Sequence, residues 1–580
     1  MKRRTCPWLA MLLLACTQCA WADYGAGKRA YDAHDYAAAL REWSAAARAG
    51  DVRAQRAVGD LYRDGVGTAR DAHQAAIWYF KAARRGDAQA QLALGLARHK
   101  GDGVEPDDAY AVGWFRKAAQ AGNAAAQVQL ARCYGDGVGV PRDNAQAFAW
   151  ARKAAAKDDA EGEALLAMYY YIGVGTAANN ATALKWYRRS AEQGNAMAQY
   201  EVGFQYMVGV GVGEDDAAAV RWYRRAAEQG NAGGQYELGS AYTYGQGVAK
   251  DFALGVEWLR KAAAQGDSRA QYQLGLAYAL GRGVERDRSK AFAAFKAAAQ
   301  AEDDPIGIRD KRKRAQARLF AAYRDGSGVA ADPHEAAVWL RKALDGIDGK
   351  LAAEIVDADV AAWTERAAAG GDPAAQLLAG DLYSGGYGLK KDETKAFAEY
   401  LEAAEQGDAE AQWDVAMMYL QGSGVAKDAS ASLHWLERAF EQGRGDAGEM
   451  AAQAYRNGEG TPKDEAKAFA IQQRIGDEYG IAVGYLYGRG VEADVGKALE
   501  HLRKAVAQGA PFAGCKLGML YLDPPEGVAR DKVQAYRWIL HEKGVWPECE
   551  KRLAKLMSEM TSAERARAEA DPGVEPMPAG

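Results

Sequence analysis

Cysteine and histidine are scarce in this sequence of 580 residues. Seven histidines and six cysteines are present, and only Cys133, Cys515 and Cys549 follow residue 22. No His-x-x-x-His pair occurs, and no Cys-x-x-Cys pair follows residue 22, so a metal site or a bound cofactor has no support. Cys515 and Cys549 lie in the last sequence unit, where two interpretations are open: a disulfide, or two buried or free thiols.

Catalytic signatures are also lacking. The sequence has no Gly-x-Ser-x-Gly elbow, no Ser-x-x-Lys motif and no Walker phosphate-binding loop. Scattered histidines without a nearby cysteine or serine partner do not form a nucleophile–base pair. We therefore expect a protein without enzymatic activity.

Long apolar runs and a strong excess of one charge are missing as well. No internal segment approaches the roughly 18 consecutive apolar residues of a membrane-spanning helix. The formal net charge is −5, and this mild acidity argues against nucleic acid as the main partner. The sequence predicts a globular chain without a transmembrane span once its leader is removed.

The first residues have the pattern of an export signal. A basic start at residues 2–4 precedes a short apolar core at 8–15 and a small-x-small site at 20–22. We expect a signal peptide over residues 1–22, a mature start at Asp23 and a periplasmic protein. Residues 13–16 also resemble a lipoprotein processing box, so a lipid anchor at Cys16, or secretion, is the alternative.

Glycine, by contrast, is abundant and periodic. Twelve Gly-x-Gly turns separate the helical patterns, and seven of them recur every 36 residues, at Gly65, Gly101, Gly137, Gly173, Gly209, Gly245 and Gly281. Six tryptophans keep the same period: Trp78, Trp114, Trp150, Trp186, Trp222 and Trp258. A period of this length is typical of a stacked array of one supersecondary unit.

Each unit has the sequence signals of two helices. Six residues after a glycine turn, an Asp or Asn stands where it can cap the next helix, which ends at Gly-Asp or Gly-Asn. A second helix with Ala-Gln-x-x-Leu-Gly-x-x-Tyr then leads to the next turn. The thirteen predicted caps are Asp71, Asp107, Asp143, Asn179, Asp215, Asp251, Asp287, Asp332, Asp392, Asp428, Asp464, Asp494 and Asp531. We expect an all-α superhelical solenoid of about thirteen helix-turn-helix repeats.

The motif Ala-x-x-Leu-Gly-x-x-Tyr-x-x-Gly-x-Gly-Val-x-x-Asp-x-x-x-Ala-x-x-Trp-x-x-x-Ala-Ala, clearest from Ala198 to Ala263, resembles the Sel1-like repeat family, a relative of the tetratricopeptide repeats. The resemblance covers roughly residues 51–545 and implies a scaffold that binds a protein or peptide, here in the bacterial cell envelope. An alternative is recognition of an envelope polysaccharide or peptidoglycan fragment. A further alternative, by family analogy, is a β-lactam or cell-wall hydrolase, because some cysteine-rich relatives are described as penicillin-binding or β-lactam-hydrolysing. The repeat cysteines of those relatives are lacking here.

The spacing of the turns predicts the organisation of the chain. After the signal peptide we expect N-terminal capping helices over 23–50 and a regular block over 51–300. Intervals of 45 and 60 residues between turns predict irregular repeats, with an expanded loop and an extra half-unit, over 301–370. A second block over 371–545 and a cap with a frayed tail over 546–580 complete the prediction.

Three tyrosines define a candidate binding ladder. Nine residues before the glycine turn, Tyr200, Tyr236 and Tyr272 occupy a position that varies in earlier units, and their next residues are Glu201, Glu237 and Gln273. In the family this helix lines the concave groove, so the ladder could hold an extended peptide across roughly 20 Å. The alternative interpretation is that the rings pack between neighbouring helices.

A basic run is the second candidate. It consists of Arg309, Lys311, Arg312, Lys313 and Arg314. One interpretation is a solvated helix face balanced by the acidic residues 302–304. The other is a docking patch for an acidic partner or an anionic envelope polymer.

Overall fold

The computed structural model describes residues 24–301, 309–525, 529–541 and 547–570. Within these ranges the chain forms 32 helices and no strand. The predicted all-α superhelical solenoid is therefore confirmed. The chain divides into two units, one up to Lys311 and one from Arg312. The predicted signal peptide, Cys16, the acidic residues 302–304 and the end of the tail, 571–580, lie outside the described residues.

The first unit opens with a capping hairpin and continues with seven regular repeats. The hairpin consists of helices Tyr24–Asp32 and Tyr36–Arg48. We call the first helix of each repeat helix A and the second helix B. The A helices are Val52–Asp64, Ala88–Lys100, Ala124–Asp136, Ala160–Ile172, Ala196–Val208, Ala232–Tyr244 and Ser268–Leu280. The B helices are Ala72–Arg84, Asp108–Gln120, Asn144–Ala155, Asn180–Glu192, Asp216–Glu228, Phe252–Ala264 and Arg288–Gln300.

Capping residues fix where the helices begin and end. All thirteen predicted Asp and Asn caps accept a hydrogen bond from a backbone amide in the first turn of helix B or its equivalent. Helix A of each regular repeat ends at the first glycine of the turn, for example Gly209 with a φ of 69°. That left-handed conformation is open to glycine at little cost, which explains the periodic glycines.

The motif residues of helix A join neighbouring helices. The glycine of Leu-Gly lies under a large side chain of helix B, as Gly95 does under Phe115 and Gly239 under Leu259, so the two backbones approach closely. In five of the seven regular repeats the motif glutamine is buried, and its Nε2 donates to a carbonyl at the end of the preceding helix, as Gln199 does to Ala191 at 3.0 Å. This carbonyl also accepts a hydrogen bond from the backbone amide of Gly194 just after the helix, so the glutamine supplies its second one.

The second unit is less regular. Its helices are Arg309–Asp325, which begins just before the division, then Pro333–Leu344, Gly349–Ile355, Ala358–Ala369, Pro373–Gly385, Glu393–Glu405, Ala409–Gln421, Ala429–Glu441, Gly445–Asn457, Glu465–Ile475, Glu478–Tyr487, Val495–Ala507, Ala513–Leu522, Lys532–His541, Pro547–Glu559 and Ser562–Ala570. The helices Gly349–Ile355 and Ala358–Ala369 occupy the segment for which the sequence predicts an extra half-unit.

Candidate partner-binding face

The A helices of the first unit follow one another along the array, and polar side chains join several successive pairs. Arg56 reaches Asp87 at 3.1 Å, and the Tyr244 hydroxyl donates to Gln273 Oε1 at 3.1 Å, each pair joining successive A helices. Helices at such contacts lie about 8–10 Å apart. We call the surface that these helices present the helix-A face.

The three ladder tyrosines lie on this face but are packed between helices. The Tyr200 ring lies 5.9 Å from the Tyr223 ring, and the Tyr272 ring lies 5.8 Å from the Phe295 ring. Both tyrosines are half-buried. Tyr236 is only 4% exposed, and the Lys311 amine donates to its hydroxyl. The rings thus add to the packing of the repeats and offer a partner little surface, least of all at Tyr236.

The residues that follow the tyrosines differ in their partners. Glu237 is paired with Arg269 at 3.4 Å, and Arg269 also pairs with Asp267 at 2.7 Å. The Arg269 guanidinium lies 4.2 Å from the centre of the Tyr236 ring. Gln273 is buried and accepts the hydrogen bond from Tyr244. One carboxylate of the ladder is therefore neutralised from within the array.

Glu201 lacks such a cation. It is half-buried, and within the described parts of the chain no Lys, Arg or His forms an ion pair with it. Burial raises the pKa of Glu201 above its usual range, and burial raises the pKa of Glu237 too, although Arg269 and Lys311 oppose that rise. A cation supplied from outside would stabilise the Glu201 carboxylate and lower its pKa.

An exposed apolar rim runs along the end of the same helices. The residue just before the glycine turn is apolar in four successive repeats, with exposures of 57% for Ile172, 40% for Val208, 53% for Tyr244 and 55% for Leu280. We call these four residues the rim. The sequence analysis did not identify it. The sequence does contain a signal for the rim, because the residue at this position is polar in the three preceding repeats: Asp64, Lys100 and Asp136.

The basic run is largely engaged in internal contacts. Lys311 contacts Tyr236 in the first unit. In the second unit, Lys313 is buried and its Nζ donates to the Lys342 carbonyl at 2.6 Å, while Arg314 pairs with Glu354 at 2.8 Å. Arg312 is half-buried and has polar contacts, and the side chain of Arg309 lies outside the described residues. Little of the run is left as a solvated or docking face, so docking of an acidic partner there remains a prediction.

Basic residues are instead displayed on the B helices. In six successive repeats a Lys or Arg lies over the period-keeping tryptophan three residues earlier, at 3.8–5.0 Å from the ring centre. These exposed cations are Lys81, Lys117, Lys153, Arg189, Arg225 and Lys261. Among described residues, only Arg189 of the six has an ion-pair partner. We call this row the basic ridge.

A half-buried charge cluster is the main polar feature of the second unit. Arg341 pairs with Asp381 at 2.6 Å and with Glu410, and Asp414 lies 4.0 Å away. The Tyr400 hydroxyl donates to Asp381 at 2.8 Å. Burial, reinforced by the charge of Asp381, raises the pKa of Asp414 to about 7. Arg341 and Asp381 also line a cavity of about 730 Å³, in which charges of both signs balance.

The remaining candidates concern cysteine, metal and membrane. Cys515 and Cys549 are joined in a disulfide with a Cα–Cα distance of 6.0 Å, and Cys133 is a buried free thiol. Within the described ranges, no group of three His, Cys, Asp or Glu residues is placed to hold a metal ion. No helix of those ranges is both long and apolar enough to cross a membrane.

Comparison with known proteins identifies the repeat. The Sel1 repeat model matches thirteen segments: 52–87, 88–123, 124–159, 160–195, 196–231, 232–267, 268–303, 313–346, 373–408, 409–443, 449–470, 478–509 and 511–540. No curated protein matches the chain.

Two solved structures illustrate the similarity. A protective antigen of uropathogenic Escherichia coli strains, displaying an SLR fold, is 27% identical with a TM-score of 0.48, and the match covers 89% of this chain and 97% of that one. A Sel1 repeat protein from Oxalobacter formigenes is 31% identical with a TM-score of 0.40, and the match covers 42% of this chain and 100% of that one.

Proposed function

Because the chain belongs to the Sel1 repeat family, we propose that it is an exported, non-enzymatic scaffold that binds a protein or peptide partner in the bacterial cell envelope. Sel1 repeats generally form scaffolds for protein–protein interaction, and the family is typically non-enzymatic. Export is supported by the leader-like residues 1–22, and a lipid anchor at Cys16 is the alternative form of the mature protein.

The observation that carries the partner-binding proposal is the state of Glu201. The equivalent Glu237 of the next repeat is neutralised by Arg269, whereas no described cation pairs with Glu201. A half-buried carboxylate without a cation is costly unless it gains a partner. A basic side chain of a bound protein would supply that partner on the helix-A face. Such a charge-assisted hydrogen bond contributes about 1.5–3 kcal/mol.

The test begins with affinity capture from a cell-envelope extract and identification of the captured protein by mass spectrometry. The affinity of the purified partner is then measured for wild type, Glu201→Gln and Glu237→Gln. We expect Glu201→Gln to weaken binding about tenfold or more, since one charge-assisted contact is lost. Glu237→Gln is the matched control, because its charge is already taken by Arg269. It should bind nearly as wild type does.

Two results would contradict the proposal. If the wild type captures no protein, the proposed scaffold function is wrong. Equal losses of partner affinity in Glu201→Gln and Glu237→Gln would show that Glu201 has no special role. Thermal melting of each variant is the control for folding. N-terminal sequencing and fractionation of the mature protein separately test export, with Asp23 as the expected first residue and an acylated Cys16 as the alternative.

A second candidate, binding of an anionic envelope polymer, is favoured by the basic ridge. Five of its six cations lack an ion-pair partner among the described residues, and the tryptophan rings hold them in a row. Binding of an acidic polysaccharide should weaken steeply with salt. The variant Lys117→Glu with Lys153→Glu should lose it, and retention of binding at high salt would exclude this candidate.

A further inference from the structure

The rim is confined to a short stretch of the array. Ile172, Val208, Tyr244 and Leu280 are each 40% exposed or more, and they succeed one another at the 36-residue period. The next A helices of the chain have Asp325, Gly385, Gln421 and Asn457 at the corresponding position. Packing of the repeat therefore does not require an apolar side chain there, because most repeats do without one.

More apolar surface adjoins the rim on the same helices. Met168 is exposed one turn before Ile172, Phe204 is half-buried one turn before Val208, and Leu276 is half-buried one turn before Leu280. Residues four apart lie on one side of a helix, so these side chains widen the rim into a band. Methionine suits such a band because its flexible side chain adapts to a partner.

The band also contains the carboxylate without a cation. Glu201 precedes Phe204 by three residues and Val208 by seven, a spacing that places all three on one side of helix Ala196–Val208. A partner lying on the rim would thus meet apolar groups in four repeats and one negative charge in the second of them. That combination of apolar surface and charge specifies the partner's chemistry more closely than the tyrosine ladder does.

We propose that the rim binds one amphipathic α-helix of the partner, laid across the four A helices, with an apolar residue at every seventh position and a Lys or Arg facing Glu201. The sixth and seventh A helices are in contact through Tyr244 and Gln273, and the axes of packed neighbouring helices lie about 8–10 Å apart. Seven residues of a helix advance about 10.5 Å and return to nearly the same side. The inference rests on the proposed function and names the class of partner.

An extended peptide fits the rim less well. Three residues of a strand also advance about 10 Å, but successive side chains point to opposite sides. Every second contact would then face away from the rim. The rim spans three intervals, roughly 30 Å, which a helix of about 20 residues covers. A helix of that length can bring one apolar residue to each of the four rim positions.

The test uses a displayed library of random peptides of about 24 residues, long enough to cross the rim as a helix. The library is selected on the wild-type protein, and the enriched peptides are synthesised. Their affinities are compared for wild type, for the rim variant Ile172→Ser, Val208→Ser, Tyr244→Ser and Leu280→Ser, and for Glu201→Gln. Tyr487→Ser is the matched control, because Tyr487 is 53% exposed at the same repeat position in the second unit.

We expect enriched peptides with apolar residues seven apart and a basic residue, which become helical on binding by circular dichroism. The rim variant should bind them at least about tenfold more weakly, since exposed apolar groups are removed. The Tyr487→Ser control should be unchanged. The four rim side chains are 40–57% exposed, but Tyr244→Ser also removes the hydrogen bond to Gln273, so the rim variant should melt slightly below wild type and keep its helical circular dichroism spectrum.

Each other outcome overturns the inference in a recognisable way. Peptides that depend on Glu201 but bind the rim variant normally would leave the proposed function standing and refute the rim. Enriched peptides without the seven-residue spacing would point to an extended ligand. A wild type that dimerises in sedimentation, with a monomeric rim variant, would assign the rim to a second copy of the chain. No enrichment at all would end the inference, while capture of a full-length partner would still test the function.

Discussion

Two glycines of neighbouring helices provide a sharp test of how the repeats pack. Gly95, in helix Ala88–Lys100, lies under Phe115, and a Cβ added there would lie 2.5 Å from Cε1 and 2.7 Å from Cδ1 of that ring. Phe115 is 1% exposed, so its ring has no free space into which it can move. Gly113, in helix Asp108–Gln120, has no atom within 4 Å of an added Cβ. Both glycines lie inside an α-helix, so the two positions differ in packing and not in backbone conformation.

The expected effects of Gly95→Ala and Gly113→Ala have opposite signs. Replacing glycine by alanine inside a helix stabilises it by about 1 kcal/mol at either site, because the unfolded chain loses freedom. At Gly95 the new methyl overpacks the contact with Phe115, which costs about 1–3 kcal/mol. Because both variants gain the same helix propensity, this gain cancels when their stabilities are compared. The two variants should therefore differ by about 1–3 kcal/mol in local stability.

Hydrogen exchange is the appropriate assay. A long repeat array does not unfold in one step, so local opening free energies are more informative than one melting temperature. Protection of helices Ala88–Lys100 and Asp108–Gln120 should fall in Gly95→Ala and rise in Gly113→Ala, with distant repeats unaffected. Equal stabilisation by both substitutions would refute the close approach of Gly95 to Phe115.

Three further predictions concern caps, pH and the disulfide. Asp215→Ala should lower the stability of helix Asp216–Glu228 by about 1 kcal/mol, because the amide of Ala218 loses its acceptor, and Asp215→Asn should restore most of it in the same hydrogen-exchange assay. The pKa of Asp414 is about 7 in the folded chain, well above the ordinary value of 3.8, so its contribution to stability falls as pH rises from about 4 to 7. In denaturant unfolding at a series of pH values, the free energy of unfolding should fall less steeply with pH in Asp414→Asn than in wild type. The same pH dependence in both proteins would contradict the raised pKa of this carboxyl. Cys515→Ala should cost about 2–4 kcal/mol, confined to the helices after residue 512, and a reducing agent should have the same effect on wild type but none on the variant.

The sequence predicted part of the candidate face. It identified the helix and the repeats that carry Tyr200, Tyr236 and Tyr272, because a repeat makes any departure from its pattern visible. It did not predict which of these side chains a partner could reach. The Tyr236 ring lies beneath Arg269, which comes from the following repeat and is contributed by the tertiary packing. Lys313 likewise belongs to the basic run, whose composition is typical of an exposed segment, yet its side chain is buried and donates to the Lys342 carbonyl.

The sequence by itself determined the architecture of this protein. The helix caps such as Asp215, the left-handed glycines such as Gly209 and the 36-residue period are local signals, and local signals suffice to define each hairpin and its stacking. The tertiary structure decided what the surface offers, because exposure depends on which side chain the next repeat places alongside. Neighbours cover Tyr236 and neutralise Glu237, while Tyr244 stays exposed in the rim and Glu201 stays without a cation among the described residues.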